Sequence, residues 1–203
     1  MIVPVPTGHV SFLDAPRCTD LQSLDADVAI IGVPNGWPYT MDAVTSPSST
    51  APRAIREQSC RLAPFISHYD WDFGGPLFAG RDLRIVDCGD VAMSPGAFAD
   101  NTARTTAAIT AILDRGALPV VLGGDHAISI PVFRAYANHG NMVIVQIDAH
   151  MDWRDERHGV REGLSSTMRR ASEMPWVAGM AQIGLRGIGS ARQQEVDDAR
   201  AYG

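Results

Sequence analysis

The chain has 203 residues, 45% of them hydrophobic and 20% charged, which is enough for one sizeable core. Its formal net charge of -6 argues against a nucleic-acid or anionic-membrane surface. No apolar run approaches the ~20 residues that a membrane-spanning helix needs. The N-terminal stretch MIVPVPTGHVSFLD has no basic segment followed by an apolar one, so no secretory leader is expected. Cys18, Cys60 and Cys88 show no metal-binding spacing. Buried, reduced thiols in a cytoplasmic protein are the simplest account of them.

In chain order, Val28–Val33 (VAIIGV) is the first short apolar run and predicts a strand. Asn35–Pro52 follows, rich in Pro and Ser, and reads as an unusually long loop of the kind that is often functional. Leu83–Cys88 predicts the next strand. Ala103, Ala107, Ala108, Ala111 and Ile112 then recur at helical spacing within Pro95–Arg115. Leu118–Leu122 predicts a strand, Ile128–His139 a helix, Met142–Ile147 a strand, Leu164–Ser172 a helix and Met180–Leu185 a strand. Ala191–Tyr202 reads as an exposed, charged helix. The runs are short and rich in β-branched residues, and they read as strands of a parallel sheet buried on both faces. Strand alternating with helix predicts an α/β protein, a three-layer α/β/α sandwich with a mainly parallel sheet. No repeat or linker divides the chain, so residues 1–203 read as a single domain.

The chemistry lies at two strand ends. IVQIDAHMDW places Asp148, His150 and Asp152 at every second position directly after a buried run. If the extended conformation persists, all three side chains point the same way. The carboxyl end of a parallel strand is where open α/β sheets bind ligands. Two carboxylates and an imidazole converging there need a positive charge among them, and a divalent metal is the simplest one. LPVVLGGDHAIS repeats the arrangement, running from a strand through Gly123 and Gly124 to Asp125 and His126. The glycines allow a tight turn and close backbone approach. If the two strands are neighbours, His126 joins the other three residues. A donor set of carboxylates and imidazoles without thiols suits manganese, with zinc and nickel also open.

These motifs resemble those of the ureohydrolases, the family of arginase, agmatinase and the guanidino-acid hydrolases. GGDHAIS resembles the family's G-G-D-H-S signature, and DAHMD its D-A-H-x-D signature. STAPRAIREQS (49–59), IVDCGDVAMSPG (85–96) and MRRASE (168–173) are similar to further family stretches and lean toward agmatinase. The resemblance implies an arginase/deacetylase-like fold and a hydrolase that splits agmatine or a related guanidine into urea and an amine. It implies two Mn²⁺ ions, with His126 and Asp152 on one, His150 on the other and Asp148 bridging both. A bridging water activated as hydroxide would attack the guanidinium carbon, with Asp152 helping to stabilise the tetrahedral centre. A small cationic guanidino substrate and a homo-oligomeric state, trimer or hexamer, go with the resemblance.

Two departures stand out. The family's S-x-D-x-D-x-x-D-P signature is absent, and the adjacent Asp197 and Asp198 cannot replace it. The domain is therefore expected to be C-terminally incomplete. The family's His-Gly pair before its F-R-R stretch falls on Leu164 and Ser165, while His158-Gly159 lies six residues earlier. Either the loop is rearranged so that His158 serves as proton shuttle, or the shuttle is missing; a solvated loop histidine is the plain alternative. Trp37, Tyr39 and Trp153 could flank a diamine-like substrate, though loop packing is their commoner role. Asp155 and Glu156 could meet a cationic tail or be solvated. The rival to a hydrolase is a non-catalytic protein or partner subunit of the same fold.

Overall fold

The computed structural model describes residues 10–35, 37–40 and 47–203. Its strands and helices in chain order are β1 (Val28–Val33), α1 (Ala51–Ser59), β2 (Tyr69–Asp70), β3 (Gly75–Pro76), β4 (Ile85–Asp90), α2 (Phe98–Asp114) and β5 (Leu118–Gly123). After these come α3 (Ser129–Ala135), β6 (Met142–Ile147), α4 (Thr167–Ser172), β7 (Val177–Ile183) and α5 (Gln193–Tyr202). Strands alternate with helices and every long strand pairing is parallel, which makes this an α/β fold. Part of the expected 35–52 loop lies outside the described residues. Its described end, Pro47–Thr50, is a 3-10 helix that leads straight into α1.

The expected single sheet is divided. β4, β1 and β5 form one parallel sheet in that order, and β6 and β7 form another. Among the described residues no ladder joins β5 to β6. The first sheet carries a helix on each face. Ala29, Ile31 and Val33 pack in one core with Ala108, Ile109 and Ile112 of α2. The buried positions of α2 are Asn101, Thr105, Ala108, Ile109 and Ile112, spaced as one face of a helix. That face is rotated from the predicted alanine stripe, and Ala103 is exposed. On the other face of the sheet, α1 reaches over Gly32.

The second sheet is covered on one side only. Ile144 and Val177 pack with Ile130 of α3 and with Met168 and Ala171 of α4, and Val196, Ala199 and Tyr202 of α5 join them. The expected exposed tail helix is thus half docked, and its Glu195 is buried. Val143, Val145, Ile147 and Ile183 are 54–81% exposed on the opposite face. Burial on both faces was the expectation for these strands. An apolar residue is buried only where a second layer reaches it, and here none of the described residues does. The thiols are also less buried than expected: all three are free, but only Cys88 is fully enclosed, its pKa pushed up to about 12 by burial.

α1 is fixed by charge. The Arg56 side chain is 1% exposed, and its Nε and Nη2 donate to Asp87 at 2.7 and 3.0 Å. Its Nη1 donates to Asp90 at 2.6 Å and its Nη2 also donates to the Gly89 carbonyl at 2.9 Å. The APRAIR and VDCGDV stretches are therefore two halves of one contact. Gly32 makes room for it, because a Cβ there would lie 1.8 Å from Asp90 Oδ1. Removing one partner of a buried ion pair strands the other charge, at a cost of about 3–5 kcal/mol. Arg56→Met should lower stability by about that amount in chemical denaturation. A loss below about 1 kcal/mol would show that Asp87 and Asp90 find other partners or take up protons at little cost.

Candidate metal centre

β5 ends beside β1, and the turn after it is built by backbone contact. Gly124 N donates to the Val33 carbonyl at 3.2 Å and Asp125 N to the Asn35 carbonyl at 3.1 Å. A Cβ on Gly124 would sit 1.8 Å from that Asn35 oxygen, so only glycine lets the two strand ends approach. The Asp125 carboxylate accepts from Ala127 N at 2.9 Å and caps a single 3-10 turn, His126–Ile128. Asp125 thus serves the backbone, and the turn presents the His126 imidazole.

The second arm does not stay extended. β6 ends at Ile147, and Asp148 Oδ1 accepts from His150 N at 2.9 Å, turning the chain. Asp152 then sits in the left-handed region, with φ of 51°. Few non-glycine residues adopt this, and Asp is among those that do so most readily. The conformation is held from outside, since Met168 N and Arg169 N in the first turn of α4 donate to the Asp152 carbonyl at 3.1 and 3.2 Å. The turn brings Asp148 and Asp152 together and sends His150 outward, its side chain 65% exposed. Period-two spacing implied one shared direction for all three; the turn after Ile147 is why His150 departs from it.

The structure brings His126, Asp148 and Asp152 together, one donor atom from each lying within 4.8 Å of the others. His126 Nδ1 is 2.7 Å from Asp152 Oδ2 and 3.6 Å from Asp148 Oδ2. His150 stands beside the group, Nδ1 3.4 Å from Asp148 Oδ1. Burial would depress the His126 imidazole, but the hydrogen bond to Asp152 and the charges of Asp152, Asp148 and Asp125 outweigh it and hold its pKa above the ordinary value. Burial also raises the Asp148 carboxyl, yet the His150 backbone N–H and the two imidazoles bring it below the usual range. One nitrogen and two carboxylate donors at this separation suit a divalent ion of manganese, zinc or nickel type. His158 is placed apart, exposed at φ of 53° in a turn where Arg157 and Val160 pair. Among the described residues no hydrogen bond or ion pair joins it to the cluster.

The aromatic residues near these ends are engaged in packing. Trp153 is 3% exposed in the second core, and Trp37 rests 5.7 Å from Phe98. The Tyr39 hydroxyl accepts from Ser165 N at 2.8 Å, while the Arg157 guanidinium lies 4.7 Å above its ring. Asp155 is taken by Arg170 at 2.6 Å and Arg161 at 3.0 Å, so its charge is spent within the chain. Sequence reasoning missed Gln146, whose Nε2 donates to Asp152 Oδ2 at 3.1 Å. A polar residue at a buried position inside the run IVQI was the signal that could have found it.

The raised His126 pKa sets a testable sign. The unfolded value is near 6.5, so the ionic contacts of His126 stabilise the metal-free fold fully below that pH. They lapse as pH rises through the raised folded value. The stability lost in His126→Asn should therefore shrink as denaturation is repeated from roughly pH 5.5 to 8.5. A gap that is constant or widens would show that His126 is held neutral.

Residues 26–203 match the arginase family. A guanidinobutyrase of Pseudomonas aeruginosa is 33% identical over 189 residues, 90% of this chain and 56% of that protein. An agmatinase of Photorhabdus laumondii is 37% identical over 145 residues, 70% of this chain and 44% of its own. The solved structure of proclavaminate amidino hydrolase from Streptomyces clavuligerus superposes with a TM-score of 0.77 at 26% identity, over 97% of this chain and 62% of that one. The chain spans about half the length of these curated relatives. By sequence and by fold, it belongs to the arginase family.

Proposed function

We propose that this chain carries a metal centre of a hydrolase that splits a guanidino compound into urea and an amine. The observation that carries the reading is the convergence of His126, Asp148 and Asp152 at two strand ends. The guanidinobutyrase and agmatinase relatives support the reaction class. His126, Asp148 and Asp152 are the proposed ligands, with His150 reaching a second ion beside Asp148; manganese is the proposed metal. Bound there, divalent ions would activate water for attack on a guanidinium carbon. The two carboxylates also favour a cationic substrate over a neutral one. Asp152 is fixed at both its carbonyl and its carboxylate, so it can orient what binds without reorganising. His158, exposed in its turn, is the proposed source of the proton for the departing amine. A cytoplasmic homo-oligomer, with residues 1–203 as one ureohydrolase-like domain, belongs to the same reading.

The agmatinase-like APRAIR and MRRA stretches and the charged loop after Asp152 favour a guanidine without an α-amino-acid head. Urea release should be faster from agmatine or 4-guanidinobutyrate than from L-arginine, and the reverse order would overturn this substrate class. Two divalent ions bring four positive charges, and the described cluster offers two carboxylates against them. The 203-residue chain should therefore hold one Mn²⁺ measurably and a second weakly, with low urea release. Counting free Mn²⁺ by electron paramagnetic resonance during titration reads this directly. His126→Ala and Asp152→Ala should each weaken the first ion by at least about tenfold. If neither variant changes the titration, the cluster is not the metal site. Two tightly held ions in the unaltered chain would instead mean that further ligands reach the site.

A further inference from the structure

Gln146, buried, and Gln182, half-buried, form an amide pair beneath the candidate centre. They are register partners on β6 and β7, so their side chains lie side by side on one face of the sheet. Gln146 is 6% exposed, deep in a strand that is otherwise Ile, Val and Met. A primary amide in such a place is costly unless its groups are paired. Here both ends of Gln146 are used. Its Nε2 donates to Asp152 Oδ2 at 3.1 Å and to the His150 carbonyl at 3.3 Å. Its Oε1 accepts from Gln182 Nε2, which also donates to the Met151 carbonyl at 2.8 Å.

The direction of these bonds matters. An amide can rotate by half a turn and exchange its oxygen for its nitrogen. If Gln146 did so, its oxygen would face the Asp152 carboxylate and its nitrogen would face Gln182 Nε2. Both contacts would then be repulsive. Gln182 cannot turn to accommodate this without giving up the Met151 carbonyl. The pair therefore has one satisfied arrangement, and it presents an N–H to one oxygen of Asp152. The same arrangement fastens the carbonyls of residues 150 and 151, the turn that swings Asp152 toward His126.

We propose that Gln146 is a positioning residue for Asp152, locked in its working orientation by Gln182, and that the pair raises the affinity of the centre for a divalent ion. This rests on the metal reading of the His126, Asp148 and Asp152 cluster. The carboxylate would be held before an ion arrives, so less ordering is left to the binding step. The two residues act mainly in series: once Gln146 is gone, Gln182 keeps only its bond to the Met151 carbonyl.

The test has a metal-free arm and a metal arm. In the metal-free protein, the Gln146 side-chain N–H signals are assigned by their loss in Gln146→Leu. They should exchange slowly with solvent, and their exchange should accelerate in Gln182→Leu. Unchanged exchange in Gln182→Leu would overturn the lock. In the metal arm, Mn²⁺ titration should show affinity lowered about 10- to 100-fold in Gln146→Leu. Gln182→Leu should show a smaller loss, and the double variant should lose less than the sum of the two single losses. Metal-free thermal unfolding, measured on each variant, separates positioning from simple loss of fold. An Mn²⁺ affinity within about twofold of the unaltered chain in Gln146→Leu, or a loss that follows the unfolding temperature, would overturn the proposal. If the unaltered chain binds no Mn²⁺ while the exchange arm holds, the metal reading fails, and with it the claim on affinity. The lock on Asp152 then stands by itself.

Discussion

Asp152 fastens the two halves of this chain. No backbone ladder joins β5 to β6 among the described residues. The Asp152 carboxylate nevertheless takes His126 from the turn after β5 and Gln146 from β6, while its carbonyl takes two N–H groups at the start of α4. Packing of α2 against α3 and the hydrogen bond from Thr106 Oγ1 to the Pro131 carbonyl, at 3.1 Å, hold the same seam from behind. The left-handed backbone at Asp152 is held by the two N–H donors to its carbonyl and by the His126 and Gln146 contacts to its carboxylate. Strain at a single residue persists only where the surroundings over-determine it. The candidate centre thus includes a residue held from three elements at once.

A second electrostatic constraint shapes the opposite edge. Arg56 carries a buried charge, and only the paired Asp87 and Asp90 make that burial affordable. Asp87 serves several groups at once. It accepts from Phe12 N at 2.8 Å and from Gly89 N at 2.9 Å besides Arg56. One carboxylate thereby joins the N-terminal segment, β4 and α1. The two sites have the same ratio of charges and differ in access to solvent. Around Arg56 one guanidinium sits between two carboxylates, with Arg56 and Asp87 closed off from solvent. Around His126 two carboxylates likewise face one imidazole; Asp152 is buried, but Asp148 and the imidazole are part-exposed, so the charge of this cluster is within reach of a cation.

The second sheet adds polar order to an apolar strand. Leu or Val at position 146 would pack on the same face, yet an amide stands there with all its groups engaged. Buried polar networks fix a unique arrangement when every member is satisfied. In this chain the network runs from a strand pair to the turn that carries Asp148 and Asp152, so the rigidity of the sheet is passed to the site.

Local patterning in the sequence determined the elements and the ends that matter. VAIIGV and MVIVQI are strands at their predicted bounds, because short β-branched apolar runs leave the chain few alternatives. The neighbouring predictions drift: β7 begins at Val177 rather than Met180, and β4 runs on to Asp90. Strand ends depend on ladder partners, which local composition does not specify. The convergence of His126 with Asp148 and Asp152 was legible because glycine pairs and period-two acids mark strand ends. The outward turn of His150 was not, since it follows from a side-chain-to-backbone bond and a left-handed residue fixed by α4. Nor was the division of the sheet, the one-sided cover of β6 and β7, or the pairing of Gln146 with Gln182. Each of these depends on which distant segment lies alongside, and only tertiary packing decides that.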